Sequence, residues 1–436
     1  MKKLLLMTGS ILLVLALLTP ALVGLQLADI STQTRLQELT GQPALQLRLD
    51  NGWFASSGEI EVSNPVIGGV EYPTVILRAD LNVQHGPLLL TPGGFGVGFV
   101  AATLHPELGS GFTDSVITVV AGFDGALHGL LENGSWSLEG SGTRTTLADL
   151  RVALDIQRSG QLSLEARSTR LSISDPFMAL EVVAPVIQMN SENLAQSPLP
   201  GTLGIFADEF AMVSQSAQAQ NVTLQGIRLI YSASATPGVD GRGPTLNLRQ
   251  NLEIDALQSS LAVTQLKVDA RLEGIDQKLV VDYLTLLRDT QPLLSVMPPA
   301  ELQTYVAAQS QDFTLALAQH PFTQNTQVDL LLDGHSVRGE LALHWPGEPS
   351  ALTTRRVSLA RALRVVRVTL ALAVNEAAFA GGPLATAVAT YVTQGLLLRD
   401  QDTITLNAGL HDGSLTLNNQ RFPLEPFLRF LTPGQP

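Results

Sequence analysis

Apolar and polar residues alternate along stretch after stretch of this sequence, and a side-chain period of two leaves few folds open to it. Leu45, Leu47 and Leu49 alternate with Gln46, Arg48 and Asp50; Leu162 and Leu164 alternate with Ser163 and Glu165. Leu171 and Ile173 alternate with Ser172 and Ser174, and the stretch from Asn251 to Glu273 repeats the pattern twice. Such alternation marks strands with one face buried. Turn dipeptides punctuate it: Asn133-Gly134, Pro237-Gly238, Asp240-Gly241, Asp333-Gly334 and Asp412-Gly413. Asn-Gly and Asp-Gly supply the positive φ angles of tight hairpins, so the pairing is expected to be antiparallel. No βαβ alternation is present, which excludes a doubly wound parallel sheet.

Helical spacing is confined to a few segments. Asp276 to Asp289 sets Leu279, Val280, Tyr283, Leu284 and Leu287 on one face behind an acidic first turn. Pro299 to Gln311 and Pro383 to Leu398 each begin with proline at a first-turn position. The fold class is therefore mainly β with a few helices (α+β), an extended and mostly antiparallel sheet body. The Pro/Gly-rich stretch 234–244 is either the boundary between two lobes, 29–235 and 245–436, or one long hairpin loop.

Ahead of this body lies Met1-Lys2-Lys3 and an apolar run from Leu4 to Ala28. As a helix it would be roughly 37 Å long, enough to cross a hydrocarbon core of about 30 Å. Signal-peptide cores are shorter, and no good small-x-small cleavage site follows: Ala21-Leu22-Val23, Leu22-Val23-Gly24 and Gln26-Leu27-Ala28 each break the rule. An uncleaved N-terminal transmembrane anchor over 1–28 is expected. Lys2 and Lys3 precede the run and the next basic residue is Arg35, so the body, residues 29–436, is expected on the far side of the membrane. In a bacterium with two membranes that is the periplasmic side of the inner membrane. Ser31 to Thr40 is expected to form a short helix leading out of it.

Composition narrows the chemistry. The net charge of -13 and the scarcity of clustered Lys and Arg exclude a nucleic-acid partner. The one dense basic stretch, Arg355, Arg356, Arg361, Arg364 and Arg367, is interleaved with Leu, Val and Ala. With no cysteine there is no disulfide, thiolate or Cys-ligated metal. The histidines, His85, His105, His128, His320, His335, His344 and His411, lack metal-ligand spacing, and several adjoin Gly or Pro as turn residues do. Gly94-Phe95-Gly96-Val97-Gly98 reads as a glycine-rich strand or loop, since no βαβ context makes it a dinucleotide fingerprint. Neither a Gly-x-Ser-x-Gly elbow nor a P-loop occurs. The sequence thus points to no catalytic residue, no metal ligand and no cofactor. Charged residues are only 15% against about 25% in ordinary soluble domains, which suits apolar surface beyond one core.

Three segments carry a family resemblance: Asn51-Gly52-Trp53-Phe54-Ala55-Ser56-Ser57, then Val83-Gln84-His85-Gly86-Pro87-Leu88, and finally Asp412-Gly413-Ser414-Leu415-Thr416-Leu417-Asn418-Asn419-Gln420. With the Lys-started apolar leader, the chain resembles the YdgA-like family of bacterial envelope proteins, a domain of unknown function. The resemblance implies a membrane-anchored periplasmic protein without assigned catalytic residues. Asn419 stands where the family favours Gly, and Ala55 where it often has Ser. The motif residues Gly52, Trp53, Phe54, His85, Gly86, Pro87, Asp412, Gly413, Leu417 and Asn418 read as structural or partner-contact positions. Trp53 and Phe54 look like a packing plug, and His85-Gly86-Pro87 like a strand-ending turn.

Two functions follow as expectations. The first is a non-catalytic envelope scaffold that binds another envelope protein or a second copy of itself. The alternative is a lipid-binding or lipid-transfer protein with an apolar β groove of the AsmA type.

Overall fold

A computed structural model describes residues 45–423, apart from 53, 64–65, 68–69, 72–75, 92–93, 109–111, 114, 141–142, 194–199, 215–220, 239–242, 259–261, 291–296, 348–362 and 380–384. The anchor expected over 1–28 and the helix expected over Ser31 to Thr40 lie outside the described residues. Among those described, no helix is long and apolar enough to cross a membrane. The chain forms two compact units, one of residues 1–195 with 214–217 and one of 196–213 with 218–436.

The first unit is an antiparallel sheet. Leu45–Asn51 pairs with Ala55–Ser63, which pairs with Ile76–His85, then Val100–Leu108, Val116–Ala121, Leu127–Gly140 and Thr143–Ile156. Beyond these, Leu162–Arg167 and Arg170–Ser174 both pair with Thr143–Ile156, one on each half. A separate short hairpin, Leu88–Thr91 with Gly94–Val97, grows from the end of the sheet where Ile76–His85 stops. The glycine-rich segment is thus a strand, as its composition suggests.

The second unit is an antiparallel meander. Gly201–Ser214 pairs with Val222–Thr236, and the order continues through Thr245–Gln258, Ala262–Asp276, Phe322–Leu332, His335–Trp345, Arg367–Asn375 and Thr403–His411. Two short strands, Ser414–Leu417 and Gln420–Pro423, close the run. The Pro/Gly-rich stretch 234–244 falls inside this unit, where Thr236 pairs with Thr245. It is a hairpin connection, and the chain divides earlier.

Turn chemistry explains two of the tightest connections. Asp333-Gly334 and Asp412-Gly413 are two-residue turns with both φ angles positive. Asn133-Gly134 is different: it lies within the strand Leu127–Gly140, where the register slips around Gly134. The dipeptide that makes a tight turn also makes a bulge, and the pairing on either side decides which.

The helices keep their expected places but not their ends. The first spans Gln277–Thr290, and the acidic residue stands before it rather than within its first turn. Asp276 Oδ1 accepts the backbone N–H of Lys278 at 2.8 Å, as a cap does. The second runs Pro299–Gln319, past Gln311, because Phe313 and Ala318 go on finding packing partners. The third, Ala385–Thr393, stops short of Leu398. Leu396 N donates to Tyr391 O and Gly395 N to Val392 O with Gly395 at φ +70°, the paired bonds of a glycine-capped helix end. Leu398–Asp400 then pairs as a strand with Thr403–Thr405.

In the second unit, one core gathers Ala318, Trp345, Val366 and Leu410 at the end of the sheet where the Pro299–Gln319 helix arrives. Trp345 Nε1 donates to Ala318 O at 2.9 Å, so the indole is satisfied where it is buried.

Candidate functional site: one-sided sheets and a buried Ser–His contact

Alternation gives each sheet two unlike faces. In the second unit, register sets Leu252 beside Val268, Val268 beside Val328, Leu341 beside Leu370, and Leu372 beside Leu406. These side chains share one face and form a continuous apolar field across neighbouring strands. Leu246, Ile254, Val374, Ile404 and Leu410 are buried in it. Leu248, Leu252, Val268, Leu272, Leu341 and Leu406 stay only half-buried, and Leu370 is exposed. A closed two-layer core buries such residues fully; this face is covered in part.

The opposite face carries charge. Arg249 and Arg271 both hold Asp269, at 2.6 and 3.1 Å. Arg338 holds Asp329 at 2.7 Å, and Arg228 reaches Asp255 at 2.7 Å and Glu253 at 3.1 Å. The guanidinium of Arg271, joined by Arg249, holds the Asp269 carboxyl below the usual carboxylate range, and Arg338 does the same for Asp329. These exposed pairs, some across strands and one along a strand, are screened by water and add little to stability. They fix which side faces water.

The first unit follows the same rule, with Leu81 and Val83 buried on the apolar face and Arg78 between Glu59 and Glu61 on the other. At one end of this sheet the first two motif segments come together. Phe54 O accepts the His85 N–H at 2.8 Å, and Phe99 O accepts that of Gly86 at 2.7 Å. Ser56 Oγ lies 3.1 Å from His85 Nε2, and the two residues are 1% and 2% exposed. A hydroxyl beside an imidazole has the spacing of an activated nucleophile. Chemistry there would need substrate access, and burial this complete withholds it. The pair ties two adjacent strands together beneath the Gly86-Pro87 turn, whose peptide bond is cis.

Of the expected positions, Gly52, Phe54, His85, Gly86 and Pro87 thus meet at one sheet end, and Trp53 lies outside the described residues. Phe54 is not packed as a plug: its side chain is half-exposed at the sheet end, although its backbone oxygen is bonded to His85. Ser56, Leu89 and Gly98 complete the arrangement; Ser56 and Gly98 stand in segments the sequence marks, but nothing local shows that they meet His85 and Gly86. Gly98 faces Gly86 so closely that a Cβ on Gly86 would stand 1.8 Å from Gly98 O.

The C-terminal motif lies in the second unit. Asp412 and Gly413 form its first turn, and Leu417 ends the strand before the second, Asn418-Asn419. Asn418 is a stitch: its Oδ1 accepts Asn407 N at 2.8 Å and its Nδ2 donates to Leu396 O at 2.8 Å. Several histidines expected at turns stand inside strands instead, such as His128, 3.1 Å from Asp155 on the neighbouring strand. Among the described residues, no group of three His, Asp or Glu gathers as a metal site.

No curated protein and no solved structure matches the chain. A family model does: it is described as a bacterial protein of unknown function (DUF945) and matches residues 1–425, nearly the whole sequence. The chain therefore belongs to the DUF945 family of bacterial proteins, a domain of unknown function.

Proposed function

We propose that this protein is a membrane-tethered envelope protein that handles lipid, lodging acyl chains against the half-covered apolar faces of its sheets. One observation carries the reading: the field through Leu252, Val268, Leu341, Leu370 and Leu406 is continuous across strands yet only half-buried. Water against such a field is costly, about 25 cal/mol for each Å² of apolar surface left wet. A hydrocarbon chain removes that cost without needing a polar partner. The leader, Lys2-Lys3 followed by 4–28, supplies the tether and sets the body on the periplasmic side of the inner membrane. No cofactor and no catalytic step enters this reading, and the buried Ser56–His85 contact serves the fold.

The test is native mass spectrometry of the full chain extracted in mild detergent, with lipid extraction of the same sample. Phospholipid or glycolipid retained at defined stoichiometry is the expected result. A lipid-free species would end this reading and favour a scaffold that binds envelope proteins, to be sought by crosslinking.

A further inference from the structure

The short hairpin Leu88–Thr91 with Gly94–Val97 has two faces of opposite fate. Leu89 is fully buried, 0% exposed, and sits against the sheet. Leu88 pairs with Val97 and Leu90 with Phe95, and these four all point away from the sheet into the open. Leu90 and Phe95 are 67% and 69% exposed, far beyond what a packed strand shows. Around them stand three more exposed rings: Phe54, Phe99 and Phe123, the last two edge-to-face at 4.7 Å. All come from connections at the same end of the first unit's sheet, since Ala55 pairs with Gln84, His85 with Val100 and Ala121 with both Val100 and Leu127.

We propose that this sheet end is a membrane-insertion tip, in which Leu88, Leu90, Phe95 and Val97 enter the interface of a lipid bilayer. Three features select a bilayer over a protein partner. From Gly86 to Leu104 the chain carries no charged residue, although the protein as a whole has a net charge of -13. A protein-binding patch would combine aromatic anchors with arginine and a polar rim; an uncharged patch of Leu, Val and Phe suits hydrocarbon. The hairpin backbone is paired within itself, so entry strands few amide groups without partners. Asp124, next to Phe123 at this sheet end, turns its Oδ1 back onto the Ala126 N–H at 3.0 Å.

Tether length permits it. The first strand begins at Leu45, which pairs with Val62 at the far end of the sheet, and its seven residues cover about 20 Å. With Ser31 to Thr40 helical and the other six residues of 29–44 extended, the tether reaches about 36 Å, so the tip can meet the bilayer proposed to hold 4–28. The inference shares with the proposed function only a location beside a membrane, and an empty apolar face would leave it standing.

The absence of cysteine makes the test clean. A Phe95→Cys chain and an Arg151→Cys chain, the latter exposed on the polar face, would each carry one environment-sensitive fluorophore. The full chains would be placed in phosphatidylcholine nanodiscs with and without chain-labelled quencher lipid. The label at position 95 is expected to be quenched about threefold more than that at 151, and Leu90→Asp in the same chain should abolish the difference. Equal quenching at the two positions would overturn the proposal. So would a label at 95 shielded by a second copy, seen as crosslinking between copies at that position. Lipid stoichiometry by mass spectrometry is read separately, so failure of the tip and failure of the acyl-chain face are distinguishable.

Discussion

At Gly86 the backbones of two segments approach so closely that even a methyl group has no place. A Cβ there would stand 1.8 Å from Gly98 O and 3.0 Å from Phe99 O, both backbone atoms that no rotamer change can move. Gly86→Ala must push the short hairpin off the sheet or break the bond from Gly86 N to Phe99 O. It should therefore cost about 1–3 kcal/mol, the range of overpacking. Gly96→Ala is the control, because its nearest contact is an ordinary 4.0 Å to Leu89 O; it should be neutral within roughly 0.5 kcal/mol. Thermal melts followed by circular dichroism compare the two, and equal midpoints would refute this account of the motif. The sequence showed His85-Gly86-Pro87 as a place where a strand ends. It held no sign that Gly98 would lie opposite, because that contact closes a loop whose geometry depends on the whole hairpin. Ser56 stands in the first motif segment, but its contact with His85 is not legible there, since the two lie 29 residues apart and only strand register brings them together.

Elements were read most surely where local chemistry alone decides them. Alternation found the strands, and Asp333-Gly334 and Asp412-Gly413 found their hairpins, because a two-residue turn of type I′ needs positive φ at both positions. Asn133-Gly134 misled, since a bulge asks for the same residues. Helix ends were misjudged for a related reason: Gly395 stops the third helix early, and the tertiary partners of Phe313 and Ala318 extend the second. The last hairpin offers a test at this scale. Asn419 has φ +69° and fills a position where the family resemblance favours glycine. Asn419→Gly should leave stability within roughly 0.5 kcal/mol, whereas Asn419→Val should cost about 1–2 kcal/mol for holding a branched side chain in the left-handed region. Urea denaturation of both variants is sufficient. A tolerated valine would mean that the turn is not needed to close the sheet.

For the molecule as a whole, the decisive property is that each sheet separates apolar from charged residues and yet leaves the apolar side half-covered. That asymmetry was legible as alternation, but the missing half of the cover was not, because burial depends on what the rest of the chain does. It also permits a comparison within one strand. Leu370 and Thr369 are adjacent, both exposed, and point to opposite faces of Arg367–Asn375. Either can become aspartate at an exposed position, so the two variants differ chiefly in which face receives the charge. If acyl chains lie on the apolar face, Leu370→Asp places a carboxylate against hydrocarbon, at a cost of a few kcal/mol. Retained lipid should then fall about tenfold or more, since each 1.4 kcal/mol is a factor of ten. Thr369→Asp joins a face already rich in ion pairs and should leave lipid retention unchanged. Far-UV circular dichroism confirms that both variants keep their sheets, and native mass spectrometry reads the lipid. An equal loss in both would trace the effect to general destabilisation, and no loss in either would remove the apolar face from the function.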